Sequence, residues 1–458
     1  MKQAILIFFG IIILNLANSQ DFITSVSPNS ATVGDIGVSV DISLNPDMAP
    51  PSEVNPTSAS IGSVNGTSVT RVGNVVSAVF DFSSESPGSK DVVVVFPGPG
   101  GASVEMSLSS GFMLNPSGSG SIVYVNANNT SGPWDGNSWA TAYNNLQDGI
   151  NATSYGEVWV AAGTYFSSIT NNREESLQMK DFVNIYGGFN GTESLISERD
   201  WINNITIISG DIGVSSDNTD NAYHVVRAAN NCTLDGFTIS HGNANGELLN
   251  RLGGAIYFDT NSPTIENCTF TNNYAEDGGA LYIFDDSQPS IINCNFSENS
   301  ALLGGAVICR VGGAANFSNC NFSNNFSEWR GGAVMIDYGA YEASPVILSD
   351  CTFSNNSTNG NGGGIYTDDL ASQYQGTYIT IENCSFTGNT ATYRGGGISN
   401  FNENNFLTIT NCNFSGNSAG MGGNAIANDY KVNATITGGS FDSGQDVDSD
   451  SSCNVTIN

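Results

Sequence analysis

The sequence predicts an all-β protein, in which a small antiparallel β-sandwich precedes a parallel β-helix. Three observations support this prediction. Nine of the 13 prolines lie between Pro28 and Pro116, among short alternating apolar runs. From residue 253 onward, two short motifs alternate with a period of 26 to 33 residues, which is typical of a repeat array. Helical periodicity is confined to one segment of the chain after the first 20 residues, residues 138–153.

Composition excludes several functional classes. The 458 residues include 12 basic and 43 acidic side chains, which gives a net charge of −31. Such a chain lacks the cationic surface that binds duplex nucleic acid, and an anionic membrane would repel it. Because 39% of the residues are hydrophobic, disorder caused by charge is excluded as well. Low overall charge combined with 53 glycines favours a β-rich extracellular scaffold.

Residues 1–19 predict a secretory signal peptide. Lys2 precedes an apolar run at 4–14, and the small residues Ala17 and Ser19 precede a cleavage site before Gln20. The run is too short for a membrane-spanning helix, and no longer apolar run follows. The expected location is therefore outside the cell, secreted or at the cell surface, with no transmembrane segment.

Residues 20–116 predict the β-sandwich. Alternating runs at 33–44, 68–82 and 90–98 are separated by Pro, Gly and Ser clusters. The motifs ITSVSPNSATVGD, VVVVFPGPGG and GFMLNP of this segment resemble an immunoglobulin-like IPT/TIG domain. A Gly- and Ser-rich linker is expected at 117–122.

Residues 123–211 predict the start of the β-helix. Strands are expected at 123–127 and 157–165, with a helix at 139–153 between them. These motifs resemble the opening of secreted bacterial right-handed parallel β-helix proteins of the pectin-lyase-like type. The resemblance implies a right-handed β-helix over 123–458, with 212–445 as its repeats. The helix is expected to form an N-terminal cap, since a solenoid otherwise exposes its core at the end.

Each repeat carries two motifs. The first is a glycine pair, a small residue and an apolar residue that is expected to point inward: Ile256, Leu281, Val307, Val334, Ile365, Ile398 and Ala425. The next position is expected to form an outward row: Tyr257, Tyr282, Ile308, Met335, Tyr366, Ser399 and Ile426. The second motif is Cys-x-Phe-x-x-Asn, beginning at Cys268, Cys294, Cys320, Cys351, Cys384 and Cys412. Longer spacings place loop insertions at 337–345 and 368–378.

The second motif predicts three internal columns. Cys268 and Phe270 are two residues apart, so they share a face, and their recurrence in six repeats places them in the core. Asn273 and its equivalents are expected at a bend, where stacked amides can bond to backbone. Disulfides between neighbouring turns are geometrically allowed, whereas a column of buried thiols needs no bond and is favoured. A zinc site is not expected, because the chain has no CxxC pair and only two histidines.

The alternating motifs resemble the repeats of the polymorphic outer-membrane protein family, whose passenger domains are β-helical adhesins. The resemblance implies a surface or secreted protein that binds a polysaccharide or another extracellular or host-surface ligand without catalysis. The candidate binding residues are Tyr257, Asp259, Tyr282, Asp285, Arg310, Asp337, Tyr366 and Asp368. The tyrosines belong to the outward row, and the carboxylates form a second row that follows it in each repeat and continues to Asp429. Arg310 occupies one place in this second row, where it could neutralise its two neighbours.

Two alternatives remain open for the carboxylates. Asp337 and Asp368, one turn apart, approach the spacing of a retaining glycosidase pair, so a polysaccharide hydrolase or lyase is the rival function. The fold also resembles pectate lyases and polygalacturonases, but the Gly-His-Gly and Arg-x-Lys motifs of the latter are missing. Alternatively, the carboxylates form a solvated column of turns. No cofactor is expected, although adjacent carboxylates could hold Ca²⁺.

Overall fold

The computed structural model describes residues 22–98, 102–117, 120–337, 344–368, 377–402 and 405–458. The chain divides into two compact units between Gly120 and Ser121. This boundary falls inside the expected linker, and the first strand of the second unit begins at Ser121. The predicted signal peptide lies outside the described residues. Within the described residues, no helix has both the length and the apolar character needed to cross a membrane.

The first unit contains two β-sheets that share one apolar core. Alternation explains the core, since Val40 and Ile42 are buried while Asp41 between them is not. The four-stranded antiparallel sheet has the order Ile23–Ser27, Val38–Leu44, Val75–Phe80, Thr67–Val72. The five-stranded sheet has the order Ser30–Thr32, Ser103–Asn115, Gly88–Pro97, Ser58–Ile61, Val64–Asn65.

The second unit is a parallel β-solenoid, so the all-β and parallel β-helix predictions are confirmed. Each complete turn contributes one short strand to each of four parallel sheets, which follow one another as S1, S2, S3 and S4. Sheet S1 has 12 strands, S2 and S4 have 10 each, and S3 has 7. The parallel pairing continues beyond residue 445, where the repeats were expected to end, to Ile457.

The strand bounds follow the turns. Sheet S1 comprises Ser121–Val125, Gly156–Ala161, Val183–Phe189, Thr233–Asp235, Thr264–Glu266, Ser290–Ile292, Asn316–Ser318, Val346–Ser349, Thr377–Glu382, Asn405–Thr410, Asn433–Thr437 and Asn454–Ile457. Sheet S2 comprises Gly163–Phe166, Thr206–Ser209, Thr238–Ser240, Thr269–Thr271, Asn295–Ser297, Asn321–Ser323, Thr352–Ser354, Ser385–Thr387, Asn413–Ser415 and Ser440–Phe441. Sheet S3 comprises Asn243–Ala244, Tyr274–Asp277, Ser300–Leu303, Phe326–Arg330, Ser357–Thr358, Thr390–Ala391 and Ser418–Ala419. Sheet S4 comprises Leu177–Gln178, Val226–Arg227, Ile256–Asp259, Leu281–Phe284, Val307–Arg310, Val334–Asp337, Ile365–Asp368, Ile398–Phe401, Ile426–Asp429 and Val447–Ser449.

The helix predicted at 139–153 is shorter than expected. The structure has a 3-10 turn at Trp139–Thr141 and an α-helix, α1, at Leu146–Asn151. Between them, Tyr143 pairs with the first S1 strand, and this pairing uses backbone groups that a continuous helix would need. Leu146 and Ile150 of α1 lie in the solenoid core. The other 3-10 turns among the described residues are Ile196–Glu198 and Leu248–Arg251.

The predicted internal columns are confirmed. From Phe270 to Phe441, successive rings of the phenylalanine column stack with centroids 4.7 to 5.0 Å apart. The six cysteines of the motif are buried beside them, and all nine cysteines of the chain are free thiols. Each of the six Sγ atoms donates to the carbonyl two residues earlier, as Cys268 does to Glu266 at 3.1 Å. The thiol column therefore holds without disulfides.

The asparagine column is a continuous hydrogen-bonded ladder. The Oδ1 atom of Asn325 accepts from the backbone N and from Nδ2 of Asn299, both at 3.1 Å. Its own Nδ2 donates to the Phe296 carbonyl at 2.9 Å. The same pattern links the column from Asn273 to Asn417 and ends on Gln445. The predicted bonding to backbone is confirmed, and amide-to-amide bonds accompany it.

The glycine pair allows the backbones of neighbouring turns to approach closely between S3 and S4. Its first member adopts a left-handed conformation, with φ of +65° at Gly331. A Cβ on the second member, Gly332, would lie 2.1 Å from the carbonyl oxygen of Gly363 in the next turn. Any side chain there would force the two turns apart, which explains why the motif needs two glycines.

Candidate binding face on sheet S4

The outer face of sheet S4 and the ends of its strands carry the residues singled out by the sequence. In Ile256–Asp259, Ile256 and Phe258 point into the main core, whereas Tyr257 belongs to a second apolar cluster. The outward direction of this row is therefore confirmed for the first five repeats. The last repeat was placed one residue out of register, because Ile426 pairs with Ile398 and Ala427 pairs with Ser399. Ile426 therefore points inward, and Ala427 takes the outward position.

The tyrosines of the outward row are buried rather than exposed. Tyr257 and Tyr282 stack with centroids 5.8 Å apart, and Tyr366 lies further along the same cluster. Leu252 and Leu303, from the column that precedes each glycine pair, pack against this row. Burial raises the pKa of the Tyr282 hydroxyl to about 12. The outward row that the sequence predicts is therefore covered by the flanking column.

Arg310 lies at the centre of an ionic network. Its Nη2 contacts Asp337 Oδ2 at 2.9 Å, and its Nη1 contacts Asp277 Oδ2 at 3.0 Å. The expected neutralisation of Asp337 is thus confirmed. The second partner is Asp277, which precedes a glycine pair, instead of the expected Asp285.

Asp285 does not belong to the carboxylate row. The residue that pairs with Asp259 and Arg310 on the neighbouring strands is Phe284. Asp285 follows in the turn, where its φ is +52° and its side chain is exposed. Asp259 is also exposed, at the end of its strand. The prediction that Asp285 belongs to this row was therefore wrong by one position, since Phe284 occupies the place beside Asp259 and Arg310.

The other two arginines of the repeats complete the same network. Arg330 contacts Asp368 at 3.0 Å and lies over the Tyr366 ring at 5.0 Å, while the Tyr366 hydroxyl donates to Asp368 at 3.0 Å. Arg394 contacts Asp429 at 2.8 Å and Asp448 at 2.9 Å. Every arginine after residue 253 therefore lies on this face, paired with a carboxylate of a later turn.

Asp337 and Asp368 lie side by side on neighbouring strands, as the sequence predicted. Both carboxylates have no exposed surface, and each is paired with an arginine. Burial raises the pKa of Asp337 to about 7, although Arg310 acts in the opposite direction. Its Oδ1 has no hydrogen-bond partner among the described residues. The expected insertions at 337–345 and 368–378 follow these two residues and lie mostly outside the described part of the chain.

A cleft of about 450 Å³ opens beside the third, fourth and fifth strands of this sheet. Tyr257, Tyr282 and Phe284 line it together with Asp277 and Arg310. On the other side it is lined by the 3-10 turn Leu248–Arg251, in which Leu248 is 85% exposed. The cleft thus combines aromatic and aliphatic surface with one ion pair, a composition suited to a ligand that has both apolar and hydroxyl groups. No cluster of three or more potential metal ligands occurs within the described ranges.

Two family models match parts of the chain. Residues 133–326 are similar to a family described as a protein of unknown function, DUF1565. Residues 350–368 and 383–400 are similar to the Chlamydia polymorphic membrane protein repeat. Each of these two segments contains one Phe-x-x-Asn motif and one glycine pair, and each ends within or at the end of an S4 strand. The predicted resemblance to that repeat is thus confirmed, while a search of curated proteins gives no match.

Four residues of this face were not predicted from the sequence: Asp277, Phe284, Arg330 and Arg394. Three of them precede a glycine pair, in a column that pairs Asp277 with Leu303 and Leu303 with Arg330. The signal was available, since the position before each glycine pair recurs as regularly as the motif itself. Comparison of this column with the carboxylate row would have predicted the pairs Arg330–Asp368 and Arg394–Asp429.

Breaking one buried ion pair is expected to destabilise the solenoid. Replacing Arg330 by methionine leaves the buried Asp368 carboxylate without its cation, so we expect the free energy of unfolding to fall by roughly 3 kcal/mol. Adding Asp368→Asn should recover most of this loss, because the side chain that lost Arg330 then carries no charge. Urea unfolding followed by circular dichroism measures both variants. Arg251→Met, which removes an exposed pair with Glu276, is the control and should cost less than about 1 kcal/mol.

Stability is also expected to depend on the ionisation of Asp337. Its pKa is about 7 in the folded protein, above the ordinary value of 3.8, so the folded state binds a proton more tightly than the unfolded chain. The resulting stabilisation is present below pH 4 and disappears as pH rises to 7. Relative to Asp337→Asn, the wild type should lose up to about 1.4 kcal/mol per pH unit over this range. A difference between the two proteins that stays constant from pH 4 to 8 would contradict the assignment.

Proposed function

We propose that this protein is a secreted or cell-surface β-helix protein that binds glycans through the cleft on sheet S4, without catalysis. The observation that carries the proposal is the cleft itself, where Phe284 and the leucines of residues 248–252 offer apolar surface beside the Arg310–Asp277 pair. Sugar rings present C–H faces that pack on apolar side chains, and hydroxyls that bond to paired ions. The similarity to the polymorphic membrane protein repeat supports a location at the cell surface.

The proposal extends to the first unit and to export. The two sheets of residues 23–115, one antiparallel and one with a single parallel pair, support an IPT/TIG-like module. The apolar run at 4–14, with small residues before Gln20, supports secretion. Mass spectrometry of the protein recovered from an expressing bacterium tests the second point. A mature chain beginning at Gln20 outside the cytoplasm is expected, and an uncleaved cytoplasmic chain would contradict it.

Binding is tested with immobilised polysaccharides. Neutral glucans, mannans and arabinoxylans are compared with polygalacturonate and alginate by biolayer interferometry. We expect binding to a neutral polymer, since the charge of −31 opposes polyanions. Phe284→Ser and Leu249→Ser should each weaken binding by about tenfold, the equivalent of 1.4 kcal/mol of lost apolar contact. The control is Ile202→Ser, which replaces a side chain that is 73% exposed outside the cleft.

Two outcomes of this experiment contradict the proposal. One is the absence of binding to every polymer. The other is binding that Ile202→Ser weakens as much as Phe284→Ser does, which would show that the cleft is not the site.

The rival function is polysaccharide cleavage by Asp337 and Asp368. The burial and ion pairing of both carboxylates speak against it, because a nucleophile or general acid must reach its substrate. We therefore expect no reducing ends and no unsaturated products from the same polysaccharide panel. Product release that disappears in Asp368→Asn would overturn the non-catalytic assignment.

A further inference from the structure

A second cavity, of about 360 Å³, lies where sheet S3 begins. The residues that line it are almost all polar, and they come from four successive turns. They include Asn218, Asn221, His241, Asn243, Tyr274 and Glu298. The cavity shares no residue with the cleft on sheet S4.

The cavity results from a missing strand. The first strand of S3 is Asn243–Ala244, and in the turn before it a loop at 213–221 connects S2 to S4 instead. The loop leaves a notch beside Asn243, in which Asn218 and Asn221 form one wall. Asn243 closes the base of the notch, because its backbone N donates to the Ala222 carbonyl at 2.8 Å.

Arg173 holds this wall in place. Its Nε donates to the Asn221 carbonyl at 2.6 Å, and its Nη2 donates to the Asn243 carbonyl at 3.0 Å. The guanidinium also lies over the Tyr223 ring, 4.1 Å from its centroid. The same cation therefore fixes both sides of the notch from behind, so the cavity is preorganised for a ligand.

The polar groups of the cavity are not all satisfied. Asn221 is only 4% exposed, and its Oδ1 has no hydrogen-bond partner within the described part of the chain. A buried acceptor left without a donor costs about 1–3 kcal/mol, which a bound hydroxyl would recover. At the rim, His241 has a φ of +62°, a conformation that non-glycine residues rarely adopt, and its side chain is exposed.

The chemistry of the lining selects the ligand class. Amides, an imidazole and a phenol donate and accept hydrogen bonds without net charge, and Glu298 is the one charged side chain among the lining residues. No lysine or arginine lines the cavity, so phosphates and uronates have no counterion there. Adjacent hydroxyls of a sugar match the paired donor and acceptor of an amide. We propose that this cavity binds a neutral saccharide unit, at a site separate from the cleft on sheet S4.

The two histidines make the site directly observable. The chain contains only His224 and His241. His241 lines the cavity, whereas His224 is buried, with its Nδ1 3.1 Å from the Gly253 carbonyl. Histidine-selective isotope labelling therefore gives one reporter in the site and one internal control. The full chain is titrated with maltotetraose, cellotetraose, mannotetraose, xylotetraose and N-acetylchitotetraose, and with tetragalacturonate as the anionic comparison.

At least one neutral tetrasaccharide is expected to shift the His241 resonances and leave those of His224 in place. Asn218→Ala, an exposed position, and Asn221→Ala should each weaken this response by about fivefold, the equivalent of one lost hydrogen bond of about 1 kcal/mol. Phe284→Ser, in the other cleft, should leave it unchanged. If the S4 cleft binds no glycan, the His241 response should still be present, because the two sites share no residue.

Three results would overturn the inference. The first is the absence of any His241 shift with all neutral tetrasaccharides. The second is a shift produced by CaCl₂ alone and reversed by EDTA, which would identify a cation site. The third is a saccharide response that both asparagine variants leave unchanged.

Discussion

Replacing Asn325 by alanine is expected to lower the free energy of unfolding by about 4 kcal/mol. The backbone N–H and the Nδ2 group of Asn299 both donate to Asn325 Oδ1, and the substitution removes this acceptor. Asn325 is fully buried, so water cannot replace the lost acceptor. Each buried donor left unpaired costs about 1–3 kcal/mol, and the cavity adds to this. Urea unfolding followed by circular dichroism measures the change.

Asn316→Ala is the matched control for this prediction. Asn316 is an exposed residue of an S1 strand in the same repeat, and its loss should cost less than about 0.5 kcal/mol. Equal destabilisation by the two variants would show that the ladder contributes nothing beyond an ordinary asparagine. Asn325→Asp is also informative, because a carboxylate retains an acceptor for Asn299 but cannot donate to Phe296.

The second large effect is expected at Gly332. Its replacement by alanine places a Cβ 2.1 Å from the Gly363 carbonyl oxygen and 2.8 Å from the backbone of Ser357. The contacted atoms are backbone of the next turn, so no side chain can rotate away. We expect a loss of roughly 4 kcal/mol or more in the free energy of unfolding, measured by the same urea titration, because the stacked turns must separate locally.

Gly416→Asn separates this steric effect from the general cost of replacing a glycine. Gly416 has a φ of +61°, and the nearest atom to an added Cβ is 3.9 Å away. The equivalent positions Asn272, Asn324 and Asn355 hold asparagine with φ near 54°. Asparagine at 416 should therefore cost less than about 1 kcal/mol. If Gly332→Ala is tolerated as well as Gly416→Asn, close packing of the turns is not the reason for the glycine pair.

The interior of the solenoid was predictable because it repeats. The motif of Phe322 and Asn325 recurs in six successive repeats, and stacking in a parallel array turns such recurrence directly into columns. Irregular segments were less predictable. The helix expected at 139–153 was too long, since the sequence pattern does not show that Tyr143 pairs with an S1 strand.

The candidate site was only partly predictable, because it depends on contacts between columns. Motif spacing gave the adjacency of Asp337 and Asp368, yet it could not show that arginines from two columns cover both carboxylates. Likewise, the outward direction of Tyr257 followed from alternation, whereas its burial depends on Leu252 in the neighbouring column. Exposure is a property of the assembled face, and no single repeat encodes it.

The ion pairs on sheet S4 make the turns non-interchangeable. The inner columns carry the same residues in successive turns. Excision of residues 294–319, one complete turn, would therefore bring Cys320 next to Cys268 and Phe322 next to Phe270, and both columns would remain continuous. On the outer face the same excision would remove Arg310 and leave the buried Asp337 without its cation. The array can therefore gain or lose length freely only where a turn carries no such charge, and its outer face fixes the order in which the turns must follow one another.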